Sequence, residues 1–141
     1  MSDLVSLISR ILLSAVFIVY GYIKFVNVDS ILGNPGTKKF MELVAGGAAP
    51  PTWLGYLIAA VELLGGIAIL LGIKTRWVAW GLAIYVAIAT GLAHEFWTME
   101  GAARGGNQAN FYKNLAIIGG YLMLAIHGGG AYSVDGRPKT V

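Results

Sequence analysis

Val61-Glu62-Leu63-Leu64-Gly65-Gly66 sets a single carboxylate inside an apolar run that extends from Leu54 to Ile73. At about 1.5 Å of rise per residue the run covers roughly 30 Å, the depth of a bilayer's hydrocarbon core. Glu62 falls near its middle. An acid there costs about 2.5 to 3.5 kcal/mol on insertion scales, so it is expected to turn inward and to be paired or protonated. The rest of the chain has to supply its partner.

Composition points the same way. Of 141 residues, 57% are hydrophobic and 12% charged, against about 25% charged in an ordinary soluble domain. Lipid is therefore the expected solvent. The net charge of +3 is scattered, with no basic stripe carrying interleaved aromatics, which excludes a nucleic-acid partner. The absence of cysteine removes disulfides, thiol nucleophiles, iron-sulfur clusters and covalently attached haem. Met1-Ser2-Asp3-Leu4 lacks a basic leader and a small-residue cleavage site, so the first apolar segment is expected to be retained.

Working outward, the pattern predicts four membrane spans at about residues 4–26, 54–73, 77–97 and 108–127. The expected fold is an all-α integral membrane four-helix bundle formed as a single domain over residues 1–141. In the first span, Arg10 and Lys24 are 14 positions apart and lie within roughly 40° on a helical wheel, together with Ser14, Phe17 and Gly21. Ile11, Val16, Ile18, Val19 and Ile23 are assigned to the lipid side. In the polar connection that follows, Lys38 to Ala45 reads as a short interfacial helix acting as a lid. Asn34-Pro35 starts it and Gly46-Gly47 stops it. The second and third spans are joined by the short turn Lys74-Thr75-Arg76 and form an antiparallel hairpin. Trp80, Ala83, Ala87, Thr90 and His94 share one face of the third span. Gly128-Gly129-Gly130 ends the fourth, ahead of a short polar tail.

Four spans put both termini on one side, and the basic residues divide evenly between the two faces. The tight basic turn and the basic tail then place both termini in the cytoplasm.

Depth narrows the partners of Glu62. Lys24 lies about 9 Å from it along the membrane normal, and Arg10 about 7.5 Å from the other side. Either side chain spans its gap, so both remain candidates for neutralising Glu62. His94, Lys113 and Asn114 fall in the half of the membrane that holds Lys24. A pocket with Lys24, His94, Lys113 and Asn114 at its rim, Glu62 at its floor and Phe17, Tyr20 and Trp80 in its walls suits a planar, carbonyl-bearing head group. The competing interpretation is that these groups satisfy one another and hold the bundle together. His94 and His127 end antiparallel spans, roughly 25 Å apart, too far to share a haem iron. His94-Glu95-Phe96-Trp97-Thr98 lacks the second histidine of a zinc motif. No metal, haem or iron-sulfur cluster is expected.

Arg10, Gly21 with Lys24-Phe25, Glu62 with Gly65-Gly66, Gly72 with Thr75-Arg76, and Gly128-Gly129-Gly130-Ala131-Tyr132-Ser133-Val134-Asp135 together resemble the DoxX family of small bacterial membrane proteins. The likeness spans nearly the whole chain. Departures occur at Lys113, where the family often has an acid, and at Gly129 and Ala131 in place of proline and arginine. The resemblance implies a multi-pass protein of the bacterial inner membrane and quinone-linked redox chemistry, since related proteins are membrane subunits of thiosulfate:quinone oxidoreductase. The expected function is a quinone-linked redox subunit, with Lys24 and His94 donating to the quinone oxygens and Glu62 with Arg10 and Lys24 handling protons. Expected partners are membrane lipid, a redox partner subunit and a second copy of the chain. The alternative is a non-catalytic accessory or scaffold subunit of a larger membrane complex.

Overall fold

A computed structural model describes residues 2–136, which form α1 (Ser2–Val26), α2 (Val28–Leu32), α3 (Pro35–Ala45), α4 (Thr52–Leu71), α5 (Thr75–Ala93) and α6 (Gly101–His127), with a 3₁₀ turn at Phe96–Thr98. Among the described residues three helices, α1, α4 and α5, are long and apolar enough to cross a membrane. The 27-residue α6 is longer than any of them but opens with the polar stretch Gly101 to Asn110. The helix thus starts well before the expected residue 108, and with no apolar period in that stretch the sequence pattern does not signal it. Ala102, Ala103, Arg104, Gln108 and Ala109 are good helix formers and carry the helix through it.

Local chemistry sets the ends of α3. The Asn34 side chain accepts from the Gly36 amide at 2.8 Å, Pro35 occupies the first turn, and Gly46 closes the helix at φ 60°. These are the signals read in Asn34-Pro35 and Gly46-Gly47, although the helix begins three residues earlier than Lys38.

Two glycines fix the closest helix crossing. A Cβ on Gly21 of α1 would lie 2.6 Å from the Leu63 amide nitrogen of α4, and one on Gly66 of α4 would lie 2.9 Å from Phe17 Cβ of α1. Each glycine faces the opposing helix with no side chain between, as small residues allow inside membranes. Both contacts involve atoms that cannot rotate away.

A core of Phe17, Ile69, Leu82, Val86, Tyr121 and Leu124 joins all four long helices. The Phe17 and Tyr121 rings meet edge to face at 5.5 Å, and the Tyr121 hydroxyl donates to the Leu13 carbonyl at 3.0 Å. Outside that core the helices present large apolar side chains, among them Leu12, Leu64, Ile84 and Met123. So wide an apolar surface is unsuited to water and suited to lipid. Of the residues assigned to the lipid side of α1, Ile11, Val19 and Ile23 are exposed, whereas Ile18 packs against Gly66 and Val16 faces the interior.

Candidate functional site

Glu62 is buried in mid-α4, on the face it shares with Gly55, Ala59, Gly66 and Ile69. Lys24, in the last turn of α1, places Nζ 2.5 Å from Glu62 Oε1. Tyr85, in mid-α5, donates its hydroxyl to the same oxygen at 2.5 Å. Three helices thus converge on one carboxylate oxygen. The second, Oε2, accepts no hydrogen bond from the described residues.

This cluster lines a cavity of about 590 Å³ between the long helices. Phe17 and Tyr20 of α1 and Ile58 of α4 contribute apolar wall, while Gly36, Thr37 and Phe40 of α3 cover one end. His94, Lys113 and Asn114 also line it. Asn114 donates to the Thr90 hydroxyl at 2.9 Å, His94 Nδ1 pairs with Asn107 Oδ1 at 2.9 Å, and Lys113 donates to Asn110 at 2.8 Å. Just outside, Lys39 of α3 forms an ion pair with Glu95, which ties the covering helix to the segment after α5.

Two expected members lie elsewhere. Trp80 is not in the cavity lining. It is half exposed, because the inward face of α5 is formed by Ala79, Leu82, Ala83, Val86 and Thr90. A bulky ring at position 80 sits off that face, toward lipid.

Arg10 does not pair with Glu62. Its fully buried guanidinium turns toward the other membrane face and donates to the Leu70 carbonyl at 2.6 Å, the Tyr132 carbonyl at 2.5 Å and, at 3.5 Å, the Ile69 carbonyl. Ile69 and Leu70 belong to the last turn of α4, whose carbonyls have no partner within the helix. The negative end of the helix dipole favours a cation there. That attraction settles the direction of Arg10, and Lys24 alone is left to pair with Glu62.

The segment after Gly128 does not trail away. Asp135 accepts from the Lys74 amide at 2.8 Å, the Thr75 amide at 2.6 Å and the Thr75 hydroxyl at 2.8 Å, capping α5. The Val134 and Asp135 amides donate back to Leu71 and Gly72. Burial pushes the Asp135 carboxyl up, but the bonds from Thr75 and Lys74, with the charge of Arg10, outweigh it and hold the group below its ordinary value.

Tyr85 was absent from the expected site. Glu62 lies 12 residues before Lys74 and Tyr85 lies 11 after it, so an antiparallel hairpin puts the two at one depth. That count was available in the sequence.

The DoxX family model matches residues 5–95 of the chain. Inner membrane protein YphA of Escherichia coli K12 is 39% identical over 93% of this chain and 88% of its own length. Inner membrane protein YqjF of the same organism is 37% identical over 96% of the chain and 92% of its own length. A protein named "Putative oxidoreductase CatD" in Bacillus subtilis 168 is 34% identical over 50% of the chain and 46% of its own length. No solved structure matches. An apolar helical surface, a carboxylate held at mid-depth by a lysine and a tyrosine, and these likenesses lead to one conclusion: the chain is an integral membrane protein and belongs to the DoxX family.

Proposed function

We propose that this protein is a quinone-binding redox subunit of a bacterial inner membrane, with α1, α4, α5 and α6 spanning as a four-helix bundle and α3 lying at the interface over the cavity. The observation that carries the proposal is the arrangement around Glu62. One oxygen is saturated by Lys24 and Tyr85, and Oε2 is left for a ligand inside a largely apolar cavity of about 590 Å³. Ligand cavities usually fall between about 300 and 1,000 Å³, with apolar walls and a few convergent polar groups. A titratable pair at membrane depth marks a functional site by default.

The donor set suits a quinone. Lys24 Nζ and Asn114 bring N–H groups to a cavity with aromatic and aliphatic walls, matching carbonyl oxygens on a flat, apolar ring, and His94, whose Nδ1–H is engaged by Asn107, adds a donor at Nε2 as the imidazolium. A quinone would supply two-electron, two-proton redox chemistry at that point. Lys24 and His94 would hold its oxygens. Glu62 Oε2 is the atom at which the chain takes up or returns a proton, and Lys24 compensates the charge left behind. Tyr85 keeps the carboxylate oriented. Arg10, engaged with carbonyls at the other face, has no part in this chemistry. The half-length likeness to a protein named as an oxidoreductase supports the redox reading.

The test is Glu62→Gln, which keeps the shape and the Tyr85 bond while removing the charge. Quinone affinity and quinone-dependent turnover are both expected to fall at least tenfold. Unchanged binding and turnover in a folded variant would overturn the proposed role of Glu62.

A further inference from the structure

At the membrane face opposite the Glu62 cavity, a hollow of about 450 Å³ opens between the α4–α5 turn and the end of α6. Lys74, Arg76 and His127 line it, beside Trp77 and the glycine turn that follows α6. The one acid in the lining, Asp135, is already committed to the Lys74 and Thr75 amides and the Thr75 hydroxyl. Among the described residues, ion pairs occur at Lys24–Glu62 and Lys39–Glu95 only, so neither Lys74 nor Arg76 has an acidic partner there. The hollow carries a surplus of positive charge.

Backbone geometry constrains where the two cations lie. Lys74 has φ 45°, and it is the one non-glycine residue in the left-handed region among those described. A β-carbon there costs roughly 1 to 2 kcal/mol that glycine would avoid. Such strain tends to persist at functional positions. Gly128, at φ 78° and ψ −174°, occupies a region open in practice only to glycine. A Cβ at that position would stand 3.3 Å from Arg76 Nε and 3.8 Å from Arg76 Cγ, so the bare backbone lets the arginine lie across the turn. His127 engages the Met123 carbonyl through Nδ1 at 2.9 Å, which leaves Nε2 as its free ring nitrogen.

Position identifies the occupant. The hollow lies where two apolar helices end, and Trp77 beside it is 79% exposed, as interfacial tryptophans are. Lipid phosphates occupy that level of a bilayer. Arginine offers paired donors to a phosphate and lysine a compact charge, while His127, whose Nδ1–H is committed to the Met123 carbonyl, adds a donor at Nε2 only as the imidazolium.

We propose that Lys74 and Arg76, with His127 beside them, form a phosphate-binding site for the head group of an anionic phospholipid, independent of the quinone reading. The full-length protein in neutral detergent would be titrated with phosphatidylglycerol, with phosphatidylcholine and with inorganic phosphate, and bound species counted by native mass spectrometry. The wild type is expected to prefer phosphatidylglycerol to phosphatidylcholine. Lys74→Gln and Arg76→Gln should each lower its affinity about fivefold, while Lys38→Gln at the other membrane face leaves it unchanged. Lys74→Gly separates binding from folding, because it relieves the backbone strain. It should melt no lower than wild type and still lose affinity. Competition by inorganic phosphate at similar concentration would overturn the lipid assignment in favour of soluble phosphate, whereas phosphatidylglycerol binding without such competition supports it. Equal losses in Lys38→Gln and Arg76→Gln, or no loss in Lys74→Gly and Arg76→Gln, would overturn the proposal.

Discussion

Replacing Lys24 by methionine removes the ammonium that lies 2.5 Å from Glu62 Oε1 and leaves Tyr85 as the remaining donor among the described residues. The Glu62 side chain is only 8% exposed and recovers little solvation. Breaking a buried ion pair from one side costs about 3 to 5 kcal/mol. The Lys24 side chain is 25% exposed, which admits water and sets the expected loss near the lower figure. Glu62→Gln alone should cost about 1 kcal/mol, since the lysine stem can carry its charge to the cavity mouth. The double variant K24M/E62Q leaves no charge in that layer, and the introduced amide oxygen still accepts from Tyr85, so it too should cost about 1 kcal/mol. The singles then sum to about 4 kcal/mol against about 1 for the double, a coupling of about 3 kcal/mol. Unfolding of the full chain in mixed micelles, titrated with a denaturing detergent and followed by circular dichroism and tryptophan fluorescence, reads this cycle. A coupling below about 0.5 kcal/mol, the size found for independent sites, would refute the assignment of Lys24 as the partner of Glu62.

Other substitutions probe the remaining contacts. Gly21→Ala pushes a Cβ into the Leu63 backbone at 2.6 Å and should destabilise by about 1 to 3 kcal/mol, whereas Gly81→Ala meets nothing within 4 Å and should be neutral or stabilising by up to about 1 kcal/mol. The same unfolding assay compares the two, and equal effects would contradict the close crossing of α1 and α4. Tyr85→Phe removes one donor to Glu62 and should cost about 1 to 2 kcal/mol with a measurable loss of quinone affinity; a silent variant would remove Tyr85 from the site. For Asp135 the folded value lies below the unfolded one, so its stabilisation is present above the ordinary carboxylate value of 3.8 and is lost as pH falls through the lower, folded value. Asp135→Asn should therefore melt lower than wild type at neutral pH and show a flatter acid limb between about pH 5 and 2 in thermal melts. Parallel limbs would show that the carboxylate does not hold the segment after α6.

Much of the architecture was legible because lipid leaves few choices. Apolar length placed α1, α4 and α5, and Asn34-Pro35 with Gly46-Gly47 marked α3. Depth counting brought Lys24 within reach of Glu62 and put His94, Lys113 and Asn114 in the same half. It left Arg10 open, since a long side chain reaches toward either end, and the choice was made by the α4 carbonyls and a loop more than 120 residues away. The docking of Tyr132 to Asp135 depends on such contacts and has no local signature. Trp80 was misplaced because the 3.6-residue period defines a face only to within a residue or so, and a large ring at its margin turns to lipid. Tyr85 was missed for a different reason. Its depth is countable, but nothing in an apolar span distinguishes a tyrosine that partners an acid from one that only lines a wall.

The quinone proposed above would lie in the cavity beneath α3. Its presence there is tested most directly by extracting the purified full-length protein with organic solvent and measuring quinone per chain by absorbance before and after reduction, beside a variant whose cavity is filled by Ala89→Trp. About one quinone per wild-type chain and almost none in the folded Ala89→Trp variant is the expected result. No quinone in the wild type, or equal amounts in both proteins, would contradict the account.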